Sequence, residues 1–213
     1  PRSTLFPYTT LFRSGLLDCT AADWSQFRGP QASGVDDRHP LPVEWNVETG
    51  LNIRWQTPIP GLGHASPIVS GDRIYVATAV GSGDAELKVG LYGDIAPVEE
   101  SGVHQWRLLA LDRVSGRIVW NVVGHEAVPR VRRHPKSTHC NSTPATDGRH
   151  IVAIFGSEGL FCFDDDGTLL WKKDLGPMDS GFFAVPSAQW GVASSPVIDR
   201  KSTRLNSSHR IRY

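Results

Sequence analysis

Hydrophobic residues along this chain come in short runs rich in β-branched and aromatic side chains, closed by Gly, Asp and Ser, and helical periodicity is absent. The runs at 73–79, 106–112, 117–123, 150–156, 160–164 and 169–175 therefore predict strands. Ser70-Gly71-Asp72, Asp147-Gly148 and Asp166-Gly167 supply the turns between them, because Gly takes a positive φ at little cost and Asp bonds its own backbone. No apolar run exceeds 151–155, far below the roughly 18 residues of a membrane-spanning helix.

The runs repeat as a unit. Ser66-Pro67-Ile68-Val69-Ser70-Gly71-Asp72-Arg73-Ile74-Tyr75-Val76 aligns with Thr143-Pro144-Ala145-Thr146-Asp147-Gly148-Arg149-His150-Ile151-Val152-Ala153, and a third copy begins at Ser195-Pro196-Val197-Ile198. A second half-unit runs from Ala110 through Asp112, Ser115 and Gly116 to Trp120, and returns as Asp164, Gly167 and Trp171. Its remnant at 48–55 ends on Trp55. Consecutive four-stranded antiparallel units joined by tight turns predict an all-β fold, a β-propeller. The spacing of the copies gives about two full four-stranded blades plus partial blades, so the expectation is an incomplete propeller cut from a longer protein. Such a piece is expected to associate through its open blade edges.

Ala110-x-Asp112-x-x-Ser115-Gly116-x-x-x-Trp120 resembles the tryptophan-docking motif of the PQQ-like (pyrroloquinoline quinone repeat) propellers of bacteria, and Asp164, Gly167 and Trp171 match it in the next blade. Asp23-Trp24-Ser25-Gln26-Phe27-Arg28-Gly29-Pro30 is similar to the opening of such domains in secreted members. The resemblance covers 15–198 and implies that Trp120 and Trp171 lie buried at equivalent places between blades. It implies less about activity, since the family mixes redox enzymes with propellers that have lost the cofactor, one of them a lipoprotein that assists outer-membrane protein assembly.

Both ends stand apart. Residues 4–14 and 199–209 read codon for codon as translated sequencing-adapter oligonucleotides, so 1–14 and 199–213 are set aside as adapter-derived and the propeller is placed at 23–198. Residues 15–22 read as the end of a secretory signal, which points to a periplasmic or secreted protein. Setting aside Arg2, Arg13, Arg200, Lys201, Arg204, Arg210, Arg212 and Asp199 changes the charge balance from 22 basic against 22 acidic residues to 15 against 21. A chain of net charge minus six makes no electrostatic case for nucleic acid. The basic cluster Arg130-Val131-Arg132-Arg133-His134 is expected to be a solvated loop. Cys19, Cys140 and Cys162 have neither CxxC nor zinc-finger spacing.

Candidate chemistry gathers in two places. The first is an insertion of about 25 residues at 81–105, present in one repeat only; it carries Asp84, Asp94, Glu99 and Glu100 without the ligand spacing of a calcium loop. The second is the set of inter-blade connections, where His64, His125, His134 and His139 are placed near one mouth of the channel; with Cys140 they are candidates for a ligand face, and no metal site is assigned. Three functions follow: a non-enzymatic scaffold binding a protein or glycan partner without cofactor, which is favoured; a quinoprotein dehydrogenase using PQQ with calcium; and a hydrolase with its site on the insertion.

Overall fold

In a computed structural model of the chain, residues 23–37, 41–83, 87, 96–178, 187, 190–199 and 202–206 are described. The readings of 1–14 and 15–22 lie outside them. Among the described residues there are ten strands: β1 (Ile68–Ser70), β2 (Arg73–Val80), β3 (His104–Asp112), β4 (Ile118–Ala127), β5 (Ala145–Thr146), β6 (His150–Ile154), β7 (Leu160–Asp164), β8 (Leu169–Lys173), β9 (Ser195–Asp199) and β10 (Ser202–Asn206). The described residues contain no α-helix, only the 3-10 turns Pro30–Ala32 and Gly156–Glu158.

β1–β4 and β5–β8 each form a four-stranded antiparallel sheet in sequence order, and β9 pairs with β10 in a two-stranded ladder. These are two blades and the first two strands of a third, the arrangement of a β-propeller. β1 lies beside β5, and β5 beside β9, so the first strands of successive blades line up. β10 falls within the tail set aside as adapter-derived. Its ladder with β9 uses main-chain groups and makes little demand on side-chain identity.

Burial explains why the middle strands are apolar on both faces. Ile68, Tyr75, Ala77, Trp106, Leu108 and Ala110 of the first blade share one core with Ile151, Ala153, Phe155, Phe161 and Phe163 of the second. The alternate residues Val152, Ile154, Leu160 and Cys162 form another core, against Leu175, Met178 and Ile198. The continuous apolar run 151–155 thus serves two neighbours.

The docking motif works across this interface. Asp112 Oδ1 accepts hydrogen bonds from the Ser115 amide at 2.7 Å and the Ser115 hydroxyl at 2.6 Å, which hold its carboxyl below the usual range. The turn places Gly116 at φ 72°, where a Cβ would stand 2.4 Å from the Trp55 ring. Trp55 Nε1 donates to the Arg113 carbonyl at 3.1 Å. One blade later Asp164 Oδ1 accepts from the Thr168 amide at 2.7 Å, Gly167 sits at φ 85° under the Trp120 ring, and Trp120 Nε1 donates to the Asp165 carbonyl at 3.0 Å. Each tryptophan therefore docks on the glycine turn of the blade that follows its own.

Both docking strands carry the same irregularity. Ala110 faces Trp120 while Leu111 faces Ile118, leaving Val119 extra; Cys162 faces Trp171 while Phe163 faces Leu169, leaving Leu170 extra. A bulge bends the strand and re-aims its side chains, here just before the tryptophan. Trp171 departs from the expected burial: it is 42% exposed, because the described residues include no glycine turn of a following blade for it to cover.

The opening segment adds to β1. Trp24 exchanges both backbone hydrogen bonds with Val69, at 2.8 and 3.0 Å, Asp23 Oδ1 accepts from the Gly71 amide, and the Ser25 carbonyl accepts from Thr146 in β5. Within the segment the Trp24 ring lies on Gly29, while Phe27 stays exposed.

Candidate functional site

Antiparallel topology sends the β1–β2 and β3–β4 turns to one end of the blade, and the β2–β3 and β4–β5 connections to the other. At that second end the chain leaves β2 at Gly81 and returns through Val98 to enter β3 at His104, while the β4–β5 connection passes alongside. The Val98 amide donates to the Arg133 carbonyl at 3.0 Å and joins the two connections.

Glu100, from the insertion, stands at the centre. Arg133 grips its carboxylate with Nε at 3.0 and 3.1 Å and Nη2 at 2.6 Å, and fixes its own Nη1 on the Ser137 carbonyl at 3.0 Å. His139 Nε2 meets Glu100 Oε2 at 3.0 Å. Burial alone would raise the Glu100 carboxyl, but the hydrogen bonds and charges of His139 and Arg133 outweigh it and hold the group down to about 2. Glu100 is thus an anion at any physiological pH.

His104 completes the group. Its Nδ1 lies 3.0 Å from the Gly102 carbonyl, which can only accept, so Nδ1 donates and fixes the ring. That turns Nε2 toward Glu100 Oε2 at 3.8 Å. The ligand atoms of Glu100, His104 and His139 all lie within 4.8 Å of one another. Beneath them Trp106, 1% exposed, donates Nε1 to the His139 carbonyl at 3.0 Å. The cluster borders a cleft of about 240 Å³ bounded also by Gly61, Leu62, Ala79 and Gly81.

Of the ligand-face candidates His64, His125, His134, His139 and Cys140, the structure brings only His139 into this cluster, beside Glu100 of the insertion. His64 is exposed and attached through its amide to the Cys140 carbonyl. His125 lies within β4 rather than in a connection, packed between Trp106 and Phe161 with Nε2 3.4 Å from Glu158 of the next blade. His134 stacks on Trp190 at 4.0 Å, and burial pulls its imidazole below the ordinary value, helped by Lys136. Cys140 is buried, and desolvation pushes its thiol up to about 12, so it is neither nucleophile nor ready ligand.

The basic cluster divides: Arg133 and His134 are each 3% exposed, against the expected solvated loop, whereas Arg130 and Arg132 are exposed. Arg130 pairs with Asp174 at 2.6 Å and with Glu158, and Arg132 with Glu99 at 2.9 Å. Sequence reasoning passed over His104, which lies at the first residue of a strand, and read Arg133, whose carboxylate partner comes from the insertion, as part of a solvated loop. The Glu100-to-His104 spacing was the available signal.

Residues 34–209 match the family of the outer membrane protein assembly factor BamB, whose PQQ-like repeats correspond to the blades described above. The chain belongs to this family. The BamB-family match spans both four-stranded blades, both docking turns and all four residues of the Glu100 cluster, and runs through β9 and β10. A comparison with curated proteins finds no match. The described residues hold no helix long and apolar enough to cross a membrane.

Proposed function

We propose that the chain is a periplasmic, non-enzymatic binding scaffold of the BamB family, acting on a protein partner and carrying no quinone. The family match is the observation that carries this reading, since the family is named for a factor in outer membrane protein assembly. A second feature supports it. Leu41, Val43, Trp45 and Val47 are 74%, 93%, 65% and 55% exposed, at every second position, next to the Asn46–Leu51 bridge. Val43 lies at a bend and Val47 in a turn, and these side chains together offer an exposed apolar contact for an extended polypeptide.

The test uses a fluorescent peptide with the apolar–polar alternation of an outer-membrane strand, titrated with the full chain. Saturable binding that falls at least tenfold in Val43→Asp and Trp45→Ser supports the proposal. Binding of oligosaccharide but not peptide would move the partner to a glycan stacked on Trp45. Sizing chromatography alongside separates partner binding from self-association through open strand edges. Incubation with pyrroloquinoline quinone and calcium is expected to leave no quinone on the protein after gel filtration and no dye reduction with alcohols or sugars. Stoichiometric retention with calcium-dependent reduction would replace the scaffold with the dehydrogenase.

A further inference from the structure

We infer that Glu100, His104 and His139 form a binding site for one zinc-class divalent transition-metal ion, with Arg133 as the residue that positions the carboxylate. The site stands independently of the scaffold reading, because it rests on the geometry of three side chains and not on any partner.

The first argument is the orientation of His104. Its Nδ1 is committed to the Gly102 carbonyl, which turns Nε2 toward Glu100 Oε2 at 3.8 Å in a region where the His104 side chain is 5% exposed and that of Glu100 14%. Fixing a histidine through the distal nitrogen is the usual way a ligating imidazole is oriented, with the other nitrogen left for the metal.

The second argument is spacing. Around a tetrahedral ion with bonds of about 2.05 Å, ligand atoms stand about 3.3 Å apart. Oε2 to His139 Nε2 is 3.0 Å, a hydrogen bond whose proton the ion would replace, and Oε2 to His104 Nε2 is 3.8 Å, either side of that value. The remaining pair stands within 4.8 Å. Two imidazoles and one carboxylate favour zinc-class ions over calcium or magnesium, which take oxygen ligands.

The third argument is how Arg133 divides the carboxylate. Its two shorter contacts, Nη2 at 2.6 Å and Nε at 3.0 Å, go to Oε1, while Oε2 takes only the Nε contact at 3.1 Å and faces the two imidazoles. Arg133 is itself anchored by Ser137, so it orients Glu100 while lowering the affinity for a second cation. Gly81 keeps the His104 face open: a Cβ there would stand 2.8 Å from Nε2.

The experiment uses the untagged full chain, stripped with chelator and taken through equilibrium dialysis against zinc, with cobalt(II) as an optical probe. One equivalent of zinc and a visible cobalt band of four- or five-coordinate intensity are expected. H104Q and H139Q should each weaken zinc at least ~10-fold, in line with the sensitivity of such sites to their surroundings, and should lose the cobalt band while keeping the far-ultraviolet circular dichroism of the parent. Gly81→Ala crowds Nε2 without removing a ligand and should also weaken zinc, which keeps the test decisive if a histidine variant fails to fold. No zinc retained by the parent chain, or equal retention by the parent, H104Q and Gly81→Ala, overturns the inference.

Discussion

Trp120→Ala tests the docking arrangement most directly. The ring lies over Gly167, its Nε1 donates to Asp165, and its centroid is 5.9 Å from that of Tyr75. A fully buried aromatic removes roughly 150–250 Å² from water, about 4–6 kcal/mol at 25 cal/mol/Å². Trp120 is only partly buried, which brings the apolar share to about 2–3 kcal/mol, and the lost hydrogen bond adds about 1 kcal/mol. The expected loss is about 3–4 kcal/mol. Followed by far-ultraviolet circular dichroism in urea, with a slope of about 2 kcal/mol/M, the midpoint should fall by about 1.5–2 M. Trp120→Phe keeps the stack and should lose only about 1 kcal/mol. Trp171→Ala should cost at most about 2 kcal/mol, because its indole covers no turn and loses less apolar contact on truncation. Equal losses for Trp120→Ala and Trp171→Ala, or a Trp120→Ala loss below ~1 kcal/mol, would refute docking on the following blade.

Gly116→Ala should cost about 2 kcal/mol or more, combining a left-handed backbone with a methyl driven into Trp55, whereas Gly71→Ala, at φ 55° with open space around it, should lose only about 1 kcal/mol in the same urea assay. The Asp174 carboxyl, held to about 2 by hydrogen bonds from Arg130 and the Gly176 amide, should titrate near that value by NMR and move up toward about 3.9 in Arg130→Ala. Because its folded pKa is depressed, its contribution to stability is present above the unfolded value and is lost as pH falls toward 2. Cys140 and Cys162, whose thiols burial pushes up to about 12 and about 11, should resist alkylation in the native chain at pH 8 and react on unfolding, as read by peptide mass spectrometry.

The strands were legible because each is short, β-rich and closed by Gly or Asp, and the expected 160–164 coincides with β7. β4 shows the limit. It was expected to end at 123, yet it runs to Ala127 because β3 starts at His104 and offers its backbone that much further. The ladder accommodates Gly124 as an extra residue between Val123 and His125. A Cβ at Gly124 would stand 2.7 Å from Phe163 of the next blade, so the glycine answers to tertiary packing that no local pattern reveals. The same extension carries His125 out of the connections and into the blade interface. The Glu100 cluster was only partly legible for a related reason: His139 lies 39 residues from Glu100, in a connection whose path is set by the blades it joins. The acidic insertion and the basic run at 130–134 looked like two solvated segments until Glu100 and Arg133 met.

The shared bulge ahead of each docking tryptophan sets a rule for rearranging such chains. Side chains alternate faces along a strand, so the surplus residue at Val119 or Leu170 acts as a phase marker that decides which neighbour the indole greets. Deleting it would keep composition, strand count and tryptophan, yet rotate the anchor to the wrong side of its blade. The two blades of this chain are therefore interchangeable parts only when the marker travels with them, and a duplication or graft that cuts between the extra residue and the tryptophan would yield a blade that folds but does not join the row.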